Sequence, residues 1–303
     1  MSSIKAQEEM EIQYVSPTGL ACSNRCLAKY YFQNLLRLRK RGAMTIALDY
    51  GKCIHCCIHK AYLDPKAALD IFLDEWNEYP HRDSDKKRNP TRALATLEEF
   101  HFMHFQERAT YQPLDPPSGI IESLEKYNDY EAPFLIDVGA CYPLYGKIDR
   151  SVKWLADGRK WPLDYKTSSE VSARIFNNFT STTQTLGYTL AHSYLTGEDA
   201  PGIIYELLRT SDRNAECMLH PIFVRPVWLE TFVGWTKNQC QEIQRCNEQK
   251  NWPKNPCGCA PYGMFGTPGY ACDYELLCSL DDWREGVKFY DVHEWNPLKK
   301  KGE

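Results

Sequence analysis

Gly146-Lys147-Ile148-Asp149-Arg150 and, a little further on, Pro162-Leu163-Asp164-Tyr165-Lys166-Thr167 read as two neighbouring strands. Strand side chains alternate between faces, so Leu163 and Tyr165 point one way and Asp164 and Lys166 the other. Asp149 precedes the turn signal Ala156-Asp157-Gly158, which makes the two strands a hairpin. Asp149, Asp164 and Lys166 are therefore expected at one edge of a sheet. Two carboxylates hold a hard cation through oxygen. A lysine beside them orients or activates a water and offsets charge in a transition state. Metal-assisted phosphodiester hydrolysis uses this set. Taken alone, an Asp next to a Lys is more often a solvated face, and Asp149-Arg150 reads equally as a local ion pair.

The surrounding chain has 303 residues, 43% hydrophobic and 25% charged, which allows a sizeable core in one elaborated domain. Its net charge of −4 excludes a globally basic nucleic-acid binder. Any polyanion would have to meet local patches, with Arg37, Arg39, Lys40 and Arg41 as one candidate and Lys86, Lys87 and Arg88 as another. Solvated helix ends or loops explain the same residues. No apolar run approaches the ~18–20 residues of a membrane span. Met1 to Met10 carries no secretory stretch, so a cytoplasmic protein is expected. In a reducing compartment the thirteen cysteines suggest metal ligation before disulfides.

Working outward, Ser16-Pro17 is a helix start with Ser as cap and Pro in the first turn, and the helix is expected to run to about Arg39. Further helices are expected from about Thr45 through His55 and Cys57, over Pro65 to Asn77, and over Thr91 to Tyr111. The prolines and Gly119 of the stretch 112–129 mark a connection. Strands follow at Pro133–Cys141, Leu144–Leu155 and Trp161–Lys166. A helix around Phe179–Leu195, strands at Gly202–Arg209 and Cys217–Val224, and a helix over Val227 to Gln249 complete the pattern. This order implies an α/β fold with a central mixed sheet flanked by helices. The organisation expected is a single domain over 1–303, with a helical N-terminal region at 15–112, a catalytic core at 130–250 and a cysteine-rich segment and tail at 251–303.

The order Gly51…His55, Gly146-x-x-Asp149, Asp164-Tyr165-Lys166-Thr167 and Gln184-x-x-x-Tyr188 resembles the RecB-like nucleases of the PD-(D/E)xK superfamily, from about Ser16 to Cys278. The likeness is to the iron–sulfur branch of CRISPR-associated exonucleases, the AddB nuclease module and phage exonucleases. It implies a restriction-endonuclease-like core. It implies that His55, Asp149, Asp164 and the Tyr165 carbonyl bind Mg²⁺ or Mn²⁺, and that Lys166 is the catalytic lysine. It also implies that Gln184 and Tyr188 contact substrate and support the site. Gln184 and Tyr188 are four apart, so they share a helix face. Oxygen donors suit Mg²⁺, and a histidine shifts the preference toward Mn²⁺. Whether one or two cations act is not legible. Each of these residues also has a plain structural use, as packing or as a surface histidine.

The same resemblance pairs one N-terminal cysteine, before a Lys-Tyr-Tyr-Phe helix, with three C-terminal ones. Cys26-Leu27-Ala28-Lys29-Tyr30-Tyr31-Phe32 matches the first, and Cys272 and Cys278 match the last two. The remaining ligand is Cys257 or Cys259, with Cys257 preferred, although Ala260 to Ala271 make the spacing longer than the family pattern. Such a set holds a structural [4Fe–4S] cluster or a tetrahedral Zn²⁺. Cys22 competes with Cys26. Cys53, Cys56 and Cys57 read as buried helix thiols, with a metal site of Cys56, Cys57 and His59 as the alternative. Cys141 is expected to alternate into a strand core, and Cys217, Cys240 and Cys246 to be structural.

The function implied is a metal-dependent DNA exonuclease in phage or prokaryotic recombination or processing, taking single-stranded or duplex ends. A recombination-protein partner or a homo-oligomer fits the same reading. The alternative is a non-catalytic DNA-binding or assembly subunit that keeps the fold.

Overall fold

The structure is a computed structural model. It describes residues 12–41, 46–79, 85–105, 110–114, 131–168, 172–210, 215–255 and 272–292. The chain divides into two compact units. One comprises Met1–Met44, Leu135–Gly146 and Glu230–Glu303, and the other Thr45–Phe134 and Lys147–Leu229.

The second unit is built on a five-stranded sheet in the order β2-β5-β6-β7-β8. Its strands are Tyr111–Pro113 (β2), Arg150–Trp154 (β5), Lys160–Ser168 (β6), Gly202–Arg209 (β7) and Cys217–Phe223 (β8). β6 and β7 run parallel and the other pairs antiparallel, so the sheet is mixed. Parallel neighbours need a crossover, and the helices Ala173–Asn177 (α6) and Thr183–Thr196 (α7) supply it. Three helices, Ile46–Ala61 (α3), Pro65–Trp76 (α4) and Pro90–Phe105 (α5), pack on one face. Asp64 caps α4 by accepting from the amides of Lys66 and Ala67, and Pro65 fills its first position. Tyr50, Phe72, Trp76 and Phe100 from these helices meet Trp161, Leu163 and Tyr165 of β6. Burying side chains of this size contributes about 1.5–3 kcal/mol each. On the opposite face Phe176, Ile203, Tyr205 and Ile222 form a smaller cluster that Tyr188 joins.

The first unit contains the short helices Pro17–Arg25 (α1) and Leu27–Tyr30 (α2) and the strand Leu38–Lys40 (β1). It also contains the helix Glu275–Ser279 (α9) and the strand Tyr290–Val292 (β9). β1 pairs antiparallel with β9. Ser16 caps α1 as expected, accepting from the Gly19 amide. The single helix expected to reach Arg39 is broken, because Cys26 is fully extended and Arg37 takes a positive φ of 54° before β1.

Two strands differ from expectation in a way that matters for the site. The stretch 144–155 is not one strand: β4 (Leu144–Ile148) ends where β5 begins, with Asp149 between them. β4 pairs with β3 (Ala132–Ile136), whereas β5 pairs with β2 and β6, so the chain changes partners at Asp149. β3 also stops at Ile136, not at Cys141. Asp137 accepts from the Gly139 amide at 2.7 Å, and Gly139 has a φ of 71°, so the chain turns there. Cys141 is consequently exposed and not in a strand core. The helix expected to reach Tyr111 ends at Phe105, and Tyr111 opens β2. The helix Pro226–Gln249 (α8) matches expectation closely. Among the described residues no helix is long and apolar enough to cross a membrane.

Candidate active site

His55 comes from the middle of α3. A Cβ on Gly51, one turn earlier, would stand 2.9 Å from the Thr167 hydroxyl, so glycine lets α3 lie close against β6 at this level. His55 then reaches across to Asp149, with Nδ1 3.3 Å from Oδ2. The same oxygen accepts the Tyr165 amide at 2.9 Å. Asp149 thus binds β6 through its side chain at the point where the chain leaves β4. Burial works against its charge, yet His55, Lys166 and the Tyr165 amide outweigh burial and hold its carboxyl below the usual range.

Asp164 and Lys166 project from the same face of β6, as alternation requires, and form an ion pair. Gln184 on α7 donates to Asp164 Oδ1 at 3.0 Å. Asp164 is only 2% exposed, and its Oδ2 is the oxygen that the Lys166 ammonium meets. Burial raises its pKa, with the Asp149 charge adding to the rise against the pull of Lys166. For His55 burial again opposes the charge, but the Asp149 and Asp164 carboxylates prevail and raise its pKa. Tyr188 sits one turn beyond Gln184 on α7 and packs edge-on against Phe134. Burial, with both aspartates nearby, keeps the Tyr188 hydroxyl protonated. α7 is held in place by Thr182, which accepts from the Thr185 amide, and by Gly197 in left-handed conformation at its end.

The arrangement therefore gathers His55, Asp149, Asp164, Tyr165, Lys166, Gln184 and Tyr188 in one unit. It adds two residues that the sequence reading missed. Glu131, just before β3, is buried and accepts from Lys147 Nζ at 2.6 Å. It lies within charge range of Asp149 and His55. The available signal was the nearness of Lys147 to Asp149, two residues on in the sequence. Glu131 itself gave no periodic signal, standing next to a stretch that reads only as a connection. Arg150 points the other way, to His59 Nδ1 at 3.1 Å and over the Tyr62 ring at 4.4 Å.

Carboxylate oxygens with one imidazole suit a hard or borderline divalent cation. Among the described residues, however, no three His, Cys, Asp or Glu side chains already stand in a ligating arrangement. The carboxylates are met by His55, Lys166, Gln184 and the Tyr165 amide.

Of the cysteines, Cys26 is buried at the extended break between α1 and α2, in a cluster with Phe32, Tyr274 and Leu277 against which Cys272 and Cys278 pack. Cys22 lies within charge range of Cys26 and Cys272, and burial pushes its thiol up to about 11. Cys257 and Cys259 fall outside the described residues. The chain leading to them is tied beside both partners: Asn255 donates to the Arg25 carbonyl at 2.8 Å, and Lys254 to the Cys278 carbonyl at 2.6 Å.

Residues 14–278 match the family model described as the PD-(D/E)XK nuclease superfamily. No match was found among the curated proteins. Among solved structures, the chain is similar to the crystal structure of an Eubacterium rectale protein named as a candidate exonuclease. The identity is 13%, with 92% of this chain and 96% of that one covered and a TM-score of 0.48. It is also similar to the crystal structure of the protein SSO0001, at 11% identity, 80% and 84% coverage and a TM-score of 0.32.

Proposed function

The chain belongs to the PD-(D/E)XK nuclease superfamily, and on that premise we propose that it is a divalent-cation-dependent deoxyribonuclease that acts from DNA ends. The observation that carries the reading is the meeting of Asp149 with the Asp164–Lys166 pair, with His55 and Gln184 on the two carboxylates. Nucleases of this superfamily usually use divalent cations such as Mg²⁺. Asp149, Asp164, His55 and the Tyr165 carbonyl would hold the cation, which when bound polarises a phosphate and acidifies a water. Lys166 stands where its ammonium can orient the attacking water and offset charge on the phosphorane-like transition state. Gln184 donates to the Asp164 carboxylate, which sets its direction before substrate arrives.

Cleavage of end-labelled single-stranded and duplex DNA with MgCl₂, MnCl₂ or EDTA tests this. Progressive shortening with either metal, none in EDTA and resistance of closed circles are expected. Cutting of closed circles would overturn the end requirement. DNA binding without hydrolysis under any metal would overturn the enzyme reading and leave a binding subunit.

Four thiolates, from Cys26, Cys257, Cys272 and Cys278, form the second part of the proposal, as a structural [4Fe–4S] centre. The support is the packing of Cys272 and Cys278 on the Cys26 cluster and the tethering of Asn255, two residues before Cys257. Iron and zinc analysis with visible absorption of protein purified without air distinguishes a cluster from Zn²⁺. Absence of both metals rejects the centre.

A further inference from the structure

Phe176, in α6, and Phe179, just after it, are two rings of one size in different settings. Phe176 is fully buried and stacks on His220, with ring centroids 4.4 Å apart. Phe179 is only half-buried, although burying an aromatic ring is favourable. Among the described residues, the ring it meets is that of Tyr205, stacked at 4.7 Å. Tyr205 stands beside Asp164 in the β6–β7 register and so shares its face. Lys166 Nζ lies 5.8 Å from the Tyr205 ring. Phe179 is therefore one ring away from the ammonium assigned to the chemical step, where the site is still partly open. Its neighbours Asn177, Asn178 and Ser181 are exposed.

The backbone at Phe179 is held in place. The Thr182 amide and the Thr185 hydroxyl both donate to its carbonyl, at 3.3 and 2.5 Å. The Tyr205 hydroxyl meets that of Thr185 at 2.9 Å, which ties the ring beneath Phe179 to the same point.

We propose that Phe179 stacks a nucleobase of the substrate strand next to the scissile phosphate, and so sets which phosphate reaches Lys166. The proposal rests on the nuclease reading of the same site. Every base has a π-face, so such a platform grips a strand without reading its sequence. A ring already fixed by Tyr205 and a backbone already fixed by Thr185 leave little to order when the base arrives. The base must leave its neighbour's stack to reach the ring, which a single strand or an opened end allows.

Binding of fluorescent oligo(dT) single strands to protein carrying Lys166→Ala, in MgCl₂, tests this without cleavage. One abasic residue is moved along the strand a position at a time. At one position it is expected to weaken binding about tenfold, the value of one stacked base. Phe179→Leu is expected to weaken binding of the complete strand by a similar factor and to abolish the abasic penalty at that position. Phe179→Tyr, which keeps the ring, is expected to stay within about twofold of the parent on both strands. A 2-aminopurine at the same position should lose fluorescence on binding to the parent and keep it with Phe179→Leu.

A ring that only packs behaves differently. Phe179→Leu would then weaken complete and abasic strands by the same factor, or neither, and both results overturn the proposal. An abasic scan of protein with Phe179 intact that finds no sensitive position overturns it too, whether or not the variants fold. Failure of the nuclease reading would show separately, as absence of cleavage by the unaltered protein, whereas stacking is read from binding.

Discussion

On one face of β6, Asp164 and Lys166 meet each other, with His55 on Asp149 next to them, and both cationic partners remain 28% exposed. On the other face, Tyr165 heads a chain of largely buried groups. Its hydroxyl lies 3.1 Å from that of Tyr62, Tyr62 bonds Tyr111, Tyr111 donates to Glu206 at 2.9 Å, and His104 meets the other Glu206 oxygen at 2.7 Å. One strand thus carries charge whose long partners are partly wet and, one residue away, a neutral tyrosine tied through two further tyrosines to the buried Glu206 carboxylate of β7. Substrate and cation chemistry needs the first kind. Holding the strand still while that chemistry happens needs the second, because a buried carboxylate with both oxygens occupied has one low-energy arrangement. The Tyr165 residue joins the two, with its side chain in the locked network and its amide on Asp149.

The largest difference between the faces is expected in Lys166→Ala. Cleavage should fall by about 10³-fold, while thermal melting stays near that of the unaltered protein. A comparable loss of stability would break the contrast by giving the front face a structural role. Glu206→Ala should do the reverse. It leaves Tyr111 and His104 without their buried partner and is expected to cost about 3–5 kcal/mol in urea unfolding, with specific activity of the remaining folded protein largely kept.

Gly51→Ala probes the seam between α3 and β6. The added methyl meets the Thr167 hydroxyl at 2.9 Å, so either the Thr167 side chain turns or α3 shifts and carries His55 with it, and the second is expected here. Cleavage is expected to fall about ten- to a hundredfold, more than stability does, since alanine also favours the helix by up to ~1 kcal/mol. Tyr165→Phe removes one hydroxyl from the back network and should cost about 1 kcal/mol, with kcat within a few fold.

The smallest effect expected is acid lability unconnected with either face. Burial and Lys160 hold His192 at about 4 in the folded protein, beside Ser151 Oγ at 2.8 Å. The unfolded chain binds a proton there first, so this contribution is complete above about pH 6.5 and is lost as pH falls toward 4. At pH 6 the loss is under about 1 kcal/mol. His192→Gln should flatten the dependence of urea midpoint on pH in that window without changing cleavage.

Much of this was legible in the chain. Alternation across Leu163-Asp164-Tyr165-Lys166 sorted the two faces correctly, and the spacing of Gln184 and Tyr188 put both on one helix face toward Asp164. Helices with clear caps, such as the one opened by Asp64-Pro65, appeared where they were expected. The errors fell where the backbone changes direction for reasons outside the local pattern. Cys26 and Arg37 interrupt a stretch that has helical periodicity, and β1 exists only because β9, some 250 residues later, pairs with it. The strand expected to reach Cys141 stops short of it because the Asp137–Gly139 turn ends it first.

By itself the sequence determined the face of β6 on which each residue stands and the order of the nuclease motifs, because side-chain alternation and helix spacing are properties of a few consecutive residues. Tertiary structure alone decided that the chain changes partners at Asp149 and that Glu131 reaches Lys147. It also decided that Tyr165 is locked to Glu206 through two further tyrosines. Each of those depends on which distant segment supplies the partner, and a pairing across many residues leaves no periodic trace in either one.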